Sequence, residues 1–546
     1  MKKYFAFIAC LIFLSSCESK KKADAIFYNG TVYTVDSGFT IAEAFAEKDG
    51  KIISVGNSKD LLDQFEAKEK YDLQGKFVYP GFIDAHCHFF GYASDLLKAN
   101  LYGTKSFGEV IQKIVDFSKT NKFSWLLGRG WDQNDWDVKE FPTKEKLDSL
   151  FPDIPVYMMR VDGHAVLCNQ NALNKANITA DTKISGGEII KKNGKLTGIL
   201  IDNAVDIIRT KIPSFSQELI TDCLLKTQQK CFAAGLTTVD DAGLGHDTIA
   251  MIDELQKKGQ LKIRMYAMVS ATDENKKYYF EHGHLKTDRL NVRSFKMYAD
   301  GALGSRGACL LSPYKDQPGH YGFLLHDKKY FDDVAKEMID HGFQLNTHCI
   351  GDSANRLMLG VYADHLKGKN DKRWRIEHCQ VVDPNDLKMF GEYNIIPSVQ
   401  PTHATSDMYW AEDRLGKERI KTAYAYKDLM ENAGGIIAFG TDFPVESIDP
   451  LLTFYAATSR KDLKGFPENG FQPENKTDKK NTLKAMTILA AYSNFEETEK
   501  GSIENGKFAD FVILDQDIMK CDEKEIPKTK IVATYVNGEK VYGELK

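Results

Sequence analysis

Between Pro80 and about Lys500 the chain alternates short apolar runs with amphipathic stretches, and the runs number eight. They cover residues 81–85, 237–241, 262–270, 292–300, 343–348, 374–378, 395–400 and 435–442, separated by stretches such as 332–340 and 352–365. Parallel strands require crossovers, and the crossover is usually a helix. Eight strand–helix units close into a (β/α)8 barrel, so the expected class is α/β with a TIM barrel at residues 80–500. One crossover is far too long for a single helix. The residues between the first and second runs include 125–137, a further apolar run at 156–161 and the turn-rich 185–198. This stretch, at about 95–230, reads as an insertion over the barrel mouth.

The two ends of the chain look different from its middle. Residues 26–33 form two β-prone runs around Asn29-Gly30, a hairpin signal, and 51–56 adds a strand. Residues 508–515 and 533–541, the latter around Asn537-Gly538, repeat the pattern. A small β-sandwich-like domain built from residues 24–79 and 501–546 is the expectation. Ahead of it, Lys2 and Lys3, an apolar run at 4–14 and Leu14-Ser15-Ser16-Cys17 describe a secretory signal peptide at 1–16. The Leu-Ser-Ser-Cys ending resembles the bacterial lipobox. That resemblance implies cleavage before Cys17, a lipid on its sulfur and a tether at 17–23. The expected location is the bacterial cell envelope, lipid-anchored, on a periplasmic or surface face.

With 42% hydrophobic and 27% charged residues the chain has a globular balance, which excludes a disordered or collagen-like protein. A net charge of −5 gives no reason to expect a nucleic-acid partner. Among the ten cysteines there is no CxxC pair, so most of those beyond Cys17 read as buried free thiols.

Chemistry-bearing residues gather where the runs end. The first run leads into Asp84-Ala85-His86-Cys87-His88; strand side chains alternate, so His86 and His88 share a face on which two imidazoles can bind one metal ion. The fifth ends at His348, the sixth at His378 and the eighth at Asp442. A parallel barrel brings these C-terminal ends to one mouth. In the fourth, Phe295 and Met297 form the outward face, which turns Lys296 and Tyr298 inward. A lysine there must be paired or chemically changed. Cys87, Cys349 and Cys379 face the strand–helix layer and read as packing residues.

At this point the chain resembles the amidohydrolase superfamily, specifically amidohydrolase family 3, the group of YtcJ-like proteins and N-substituted formamide deformylase. The resemblance is carried by PGFIDAHCHFFGYA (80–93), GWDQNDWDVKEFPTKEKLD (130–148), DGHAVLCNQNAL (162–173), GLTTVDDAG (235–243), FKMYADGALGSRGACLLSPY (295–314), THCIGDSAN (347–355), IEHCQ (376–380), SVQPTHATSD (398–407) and FGTDFPVE (439–446). GSIENGKFADFVILD (501–515) resembles the closing segment of the family. It implies a metal-dependent hydrolase of a non-peptide C–N bond in an amide, formamide or cyclic amide, acting through a metal-bridged hydroxide. It implies two divalent ions, zinc by default: His86, His88 and Asp442 on one, His348 and His378 on the other, and a carboxylated Lys296 between them. Asp442 would carry the proton to the leaving nitrogen. An unmodified Lys296 would instead pair with Asp300 or Asp442.

Beyond this set, His164 in the insertion and His403 after the seventh strand are candidate substrate-binding residues. Arg306 suits either an acidic substrate or a loop cap. Trp125, Trp131 and Trp136 suit either a substrate wall or a core. His282 and His284 lie away from a strand end and are set aside as ligands. The expected partners are a small-molecule substrate and the membrane, with a homo-oligomer left open. Two other readings stand beside this one. One is a mononuclear, deaminase-type hydrolase of an amidine or ring C–N bond. The other is a non-catalytic envelope lipoprotein that binds a ligand.

Overall fold

The computed structural model describes residues 20–120 and 122–545. The signal segment and Cys17 lie outside the described residues. The eight expected strands are all present and in order. They are β1 (Phe82–Cys87), β2 (Leu236–Leu244), β3 (Arg264–Ser270), β4 (Leu290–Tyr298), β5 (Gln344–Cys349), β6 (Arg375–His378), β7 (Ile396–Val399) and β8 (Ala438–Phe439). Each pairs in parallel with its neighbour from β1 round to β8. The seam between β8 and β1 is drawn together by the loop that follows β8. Asp442 N–H donates to the His86 carbonyl at 2.8 Å. Thr441 donates to the Asp84 carboxylate from its N–H at 2.9 Å and its hydroxyl at 2.6 Å. Gly440 permits this approach, because a Cβ there would lie 2.5 Å from the His86 nitrogen. The same closure places Asp442 beside His86.

The layer between barrel and helices is one large apolar cluster that includes Phe295, Met297, Leu345 and Ile376. Cys87, Cys349 and Cys379 are buried in it, as expected of packing residues. The helices lie where the amphipathic stretches fall. Lys328–His341, for example, is capped by the Asp327 side chain at its start and by left-handed Gly342 at its end.

The insertion folds around a six-stranded sheet of its own, in the order Gly187–Lys192, Lys195–Asp202, Ala165–Cys168, Val156–Arg160, Leu126–Trp131 and Ala99–Asn100. The turn-rich 185–198 is therefore largely hairpin. Asn193 and Gly194 sit at φ 52° and 73°, as a tight turn between antiparallel strands requires. Trp125, Trp131 and Trp136 are packed in the insertion's two cores and are not substrate-wall residues.

The small domain is a sandwich. One sheet orders Lys51–Gly56, Ala44–Lys48, Lys21–Tyr28 and Phe65–Asp72. The other orders Glu539–Gly543, Ile531–Val536, Phe511–Leu514, Phe77–Pro80, Thr31–Tyr33 and Ile41–Ala42. Aromatic rings from both fill the space between them; Phe27 stacks on Phe45 at 4.8 Å and meets Phe511 edge-on at 4.9 Å. Two expectations are corrected here. Lys21–Tyr28 and Thr31–Tyr33 do not form a hairpin, because Asn29-Gly30 carries the chain from one sheet to the other. Lys21, Lys22 and Ala23, expected in the tether, begin a strand whose register with Phe65, Glu66 and Ala67 buries Ala23. The hairpin expected at Asn537-Gly538 is present. Among the described residues no helix is long and apolar enough to cross a membrane.

Candidate metal centre and active site

The C-terminal ends of the barrel strands and the underside of the insertion enclose a cavity of about 290 Å³. His88, Lys296, His348, His378, His403 and Asp442 line it from the barrel, and Arg160, Asp162 and His164 from the insertion. His86 lies just beneath, fully buried.

Three imidazoles are held by their Nδ1 atoms. His86 Nδ1 donates to Glu377 Oε2 at 2.6 Å, His88 Nδ1 to the Ala242 carbonyl at 3.0 Å, and His378 Nδ1 to Gln400 Oε1 at 2.8 Å. With the proton on Nδ1, each neutral ring presents an Nε2 lone pair. His88 Nε2 lies 3.1 Å from Asp442 Oδ1, and His86 Nε2 lies 3.7 Å from the same oxygen. Rings His86 and His378 are 4.8 Å apart between centroids, and His348 and His378 are 4.5 Å apart.

The sixth strand reaches this mouth through a reversal of its pleat. Arg375 and Glu377 point into the barrel while Ile376 packs outward, so His378 would face outward in a regular strand. Its φ of 73° turns the ring back into the mouth. Asp442 also takes a positive φ, 61°. Such conformations are costly for residues other than glycine and concentrate at functional sites.

The electrostatics fit cation binding. Burial, with Lys296 nearby, lowers the His86 pKa to about 4. Burial holds His348 and His378 well below the ordinary histidine value, helped by other imidazoles and by Lys296. Asp442 is held well below the usual carboxylate range; burial opposes this and the surrounding histidines outweigh it. His86, His348 and His378 are thus held neutral beside an ionised carboxylate. Asp442 Oδ1 and His403 Nε2 are buried without a hydrogen-bond partner. His88 Nε2 and Asp442 Oδ1, two acceptors facing each other at 3.1 Å once the His88 proton sits on Nδ1, are what a divalent cation reconciles. The residues present therefore fit the group. Ligand atoms within 4.8 Å of one another form two sets, His86–His88–Asp442 and His378–His403–Asp442. His403, expected to bind substrate, stands 3.7 Å from Asp442 Oδ2.

Lys296 is buried, with Nζ 3.2 Å from His86 Nε2, and burial lowers its pKa to about 8. Asp300 is not its partner. Both Asp300 oxygens accept backbone N–H groups, from Ile350 at 2.9 Å and from Gly351 and Cys309 at 2.8 Å each.

His164 arrives from the insertion with Nδ1 donating to Asp202 at 2.6 Å and its ring 5.0 Å from His348. Arg160 is spent on Asp132, Asp162 and Gln133. Arg306 pairs with Asp316 at 2.8 Å and closes a loop. His282 and His284 lie outside this cavity. Glu377, Gln400 and Asp202, which hold three of the histidines, were not singled out from the sequence. Glu377 alone carried a signal, as a carboxylate next to a strand-end histidine.

A parallel barrel with histidines and an aspartate at its strand ends, a lysine between them and an inserted cover is the arrangement of a metal-dependent hydrolase. The model of the amidohydrolase family matches residues 69–542, and the chain belongs to that family. A putative amidohydrolase, YtcJ, of Bacillus subtilis (strain 168) is 31% identical over 95% of this chain and 99% of its own length. The N-substituted formamide deformylase of Arthrobacter pascens is 24% identical over 94% of this chain and 97% of its own length. The solved structure of an uncharacterized metal-dependent hydrolase from Pyrococcus horikoshii OT3 aligns with a TM-score of 0.74 at 28% identity, covering 91% of this chain and 99% of that one. The protein is a hydrolase acting on carbon–nitrogen bonds. The non-catalytic ligand-binding reading finds no support.

Proposed function

We propose that the protein hydrolyses a non-peptide C–N bond in an amide, formamide or cyclic amide of a small molecule. The observation that carries this reading is the set of imidazole lone pairs turned toward Asp442, itself buried without a hydrogen-bond partner on Oδ1. His86, His88 and Asp442 would hold one divalent ion, and His348 and His378 a second. Lys296, carboxylated, would lie between them. Zinc is the ion such donor sets most often take. When bound, the ions supply Lewis-acid polarisation of the scissile carbonyl and acidify water.

The remaining work falls to the side chains. Asp442 takes a proton from the attacking water and passes it to the nitrogen as the C–N bond breaks, which releases an acid and an amine. His164, braced by Asp202, meets the carbonyl oxygen from the insertion side, and His403 contacts the substrate from the wall of the seventh strand. The insertion covers the mouth and excludes bulk water.

A mononuclear, deaminase-type reading is favoured by one observation: both compact ligand sets turn on Asp442, and His348 joins neither. The deciding experiment is elemental analysis of the protein and of Lys296→Ala, with an activity screen on N-formyl, N-acyl, cyclic-amide and amidine compounds. Two ions in the parent, fewer in the variant, and amine release from an amide are the expected results. One ion with ammonia release from an amidine would select the mononuclear reading. A metal-loaded protein that hydrolyses none of them would sink both. The proposed setting is a membrane surface, through a lipid on Cys17; Cys17→Ser should move the protein from the membrane fraction to the soluble one, and an unchanged distribution would reject the anchor.

A further inference from the structure

Glu377 lies under the site rather than in it, and its two oxygens have different partners. Oε2 accepts from His86 Nδ1 at 2.6 Å, and Oε1 accepts from Arg375 Nε at 2.9 Å. Both residues are fully buried, so no water competes for either bond. Arg375 is itself fixed from the far side. Its Nη1 faces Asp240 at 3.2 Å, Ser493 at 2.9 Å and Asn494 at 3.2 Å, and its Nη2 donates to the Ala85 carbonyl at 3.3 Å. Asn494 in turn donates to Asp240 at 2.8 Å. This chain of bonds crosses the barrel interior from β2 through β6 to β1. It ends on the ring nitrogen of His86 remote from the mouth.

We propose that Glu377 is a positioning residue which, clamped by Arg375, keeps the proton of His86 on Nδ1 and so keeps its Nε2 lone pair available to a divalent cation. The proposal rests on the metal-dependent reading above. It makes a specific claim about glutamine at this position. Arginine can only donate, so in Glu377→Gln the amide oxygen must turn to Arg375. The amide NH2 then faces His86 Nδ1, which must become the acceptor. The ring proton moves to Nε2 and points at the metal position. An isosteric change at a residue that is not itself a ligand would thus block one, whereas a packing role would leave the site intact. Partners of metal-bound histidines contribute typically 10- to 100-fold in metal affinity.

The test is Co2+ binding to the full chain, measured by competition with a chromophoric chelator and by the visible spectrum of the bound ion, without reference to turnover. Glu377→Gln should bind at least one Co2+ about 10- to 100-fold more weakly, with an altered spectrum and a thermal midpoint that shows a folded protein. Glu377→Asp is the second variant. It keeps the charge facing Arg375 but withdraws the carboxylate from His86, so its affinity should fall between those of parent and glutamine variant. Parent-like affinity and spectrum in Glu377→Gln overturn the proposal. If the glutamine variant does not fold, the aspartate variant decides, and parent-like binding there overturns it equally. A parent that binds no Co2+ would overturn the metal-dependent reading and this proposal with it, whereas a binding parent matched by its variants overturns this proposal alone.

Discussion

Asp442 has one oxygen 3.1 Å from His88 Nε2 and the other 3.7 Å from His403 Nε2, so it is a ligand candidate and the carboxylate to which the proposal gives the proton transfer. Asp442→Asn preserves its volume and removes its capacity to accept a proton. Steady-state kinetics on any hydrolysed substrate should show kcat reduced by about 100-fold or more with the thermal midpoint little changed. A kcat within a few-fold of the parent would remove Asp442 from the proton path. A second residue makes a prediction about pH. Burial, reinforced by Asp24 and Asp49, pushes the Glu47 carboxyl from 4.5 up to about 7. The folded state therefore binds this proton more tightly than the unfolded state, and stability is lost as pH rises from about 4.5 through about 7. Glu47→Gln should raise the midpoint above the parent's at pH 8, by about 2 °C, and leave it unchanged at pH 5. Equal differences at both pH values would show that the carboxyl does not titrate in this window. That these histidines and Asp442 gather at one mouth was legible in the sequence, because a parallel barrel brings its strand ends together. Their holders were not. Glu377 meets His86 across 291 residues of chain, and Gln400 meets His378 only because the pleat reverses at φ 73°.

The elements tell a similar story. Eight strands could be placed because each parallel strand, buried on both faces, reads as an apolar run. The hairpin at Asn29-Gly30 was misread because a turn signal fixes where the chain bends and not which sheet receives it. The seam of the insertion with the barrel was invisible in sequence. Asp202, at φ 51°, seats its carboxylate against Gly301 and Gly307 of the loop after β4. A Cβ at Gly307 would overlap Asp202 Oδ2. Gly307→Ala should therefore displace Asp202 and the His164 it braces. The expected effect is a loss of kcat/KM on the order of 10- to 100-fold with metal content unchanged. Unchanged kinetics in a folded variant would show that the pair is not positioned from this notch.

At the scale of the molecule, the barrel is fastened to the small domain by Arg264 of β3. It donates to both oxygens of Asp510, one of them at 2.9 Å, while its guanidinium lies 3.8 Å from the centroid of the Phe508 ring. Both partners are buried. Asp510→Ala strands a buried guanidinium, and the expected loss is about 3 kcal/mol, read as a lowered denaturant midpoint. A stability loss of only about a few tenths of a kcal/mol would mean that the pair is worth no more than a surface bridge.

The sandwich of the small domain draws its strands from both ends of the chain, and Phe77–Pro80 finds its neighbour Phe511–Leu514 roughly 430 residues later. That separation becomes a waiting time on the ribosome. At ~5–20 residues per second the first strands wait about 20 to 90 s for their partners. Until then Phe77–Pro80 keeps an open edge able to pair with the wrong chain. Synthesis rate, and whatever shields that edge in the meantime, should therefore govern the yield of soluble protein more than the final stability does.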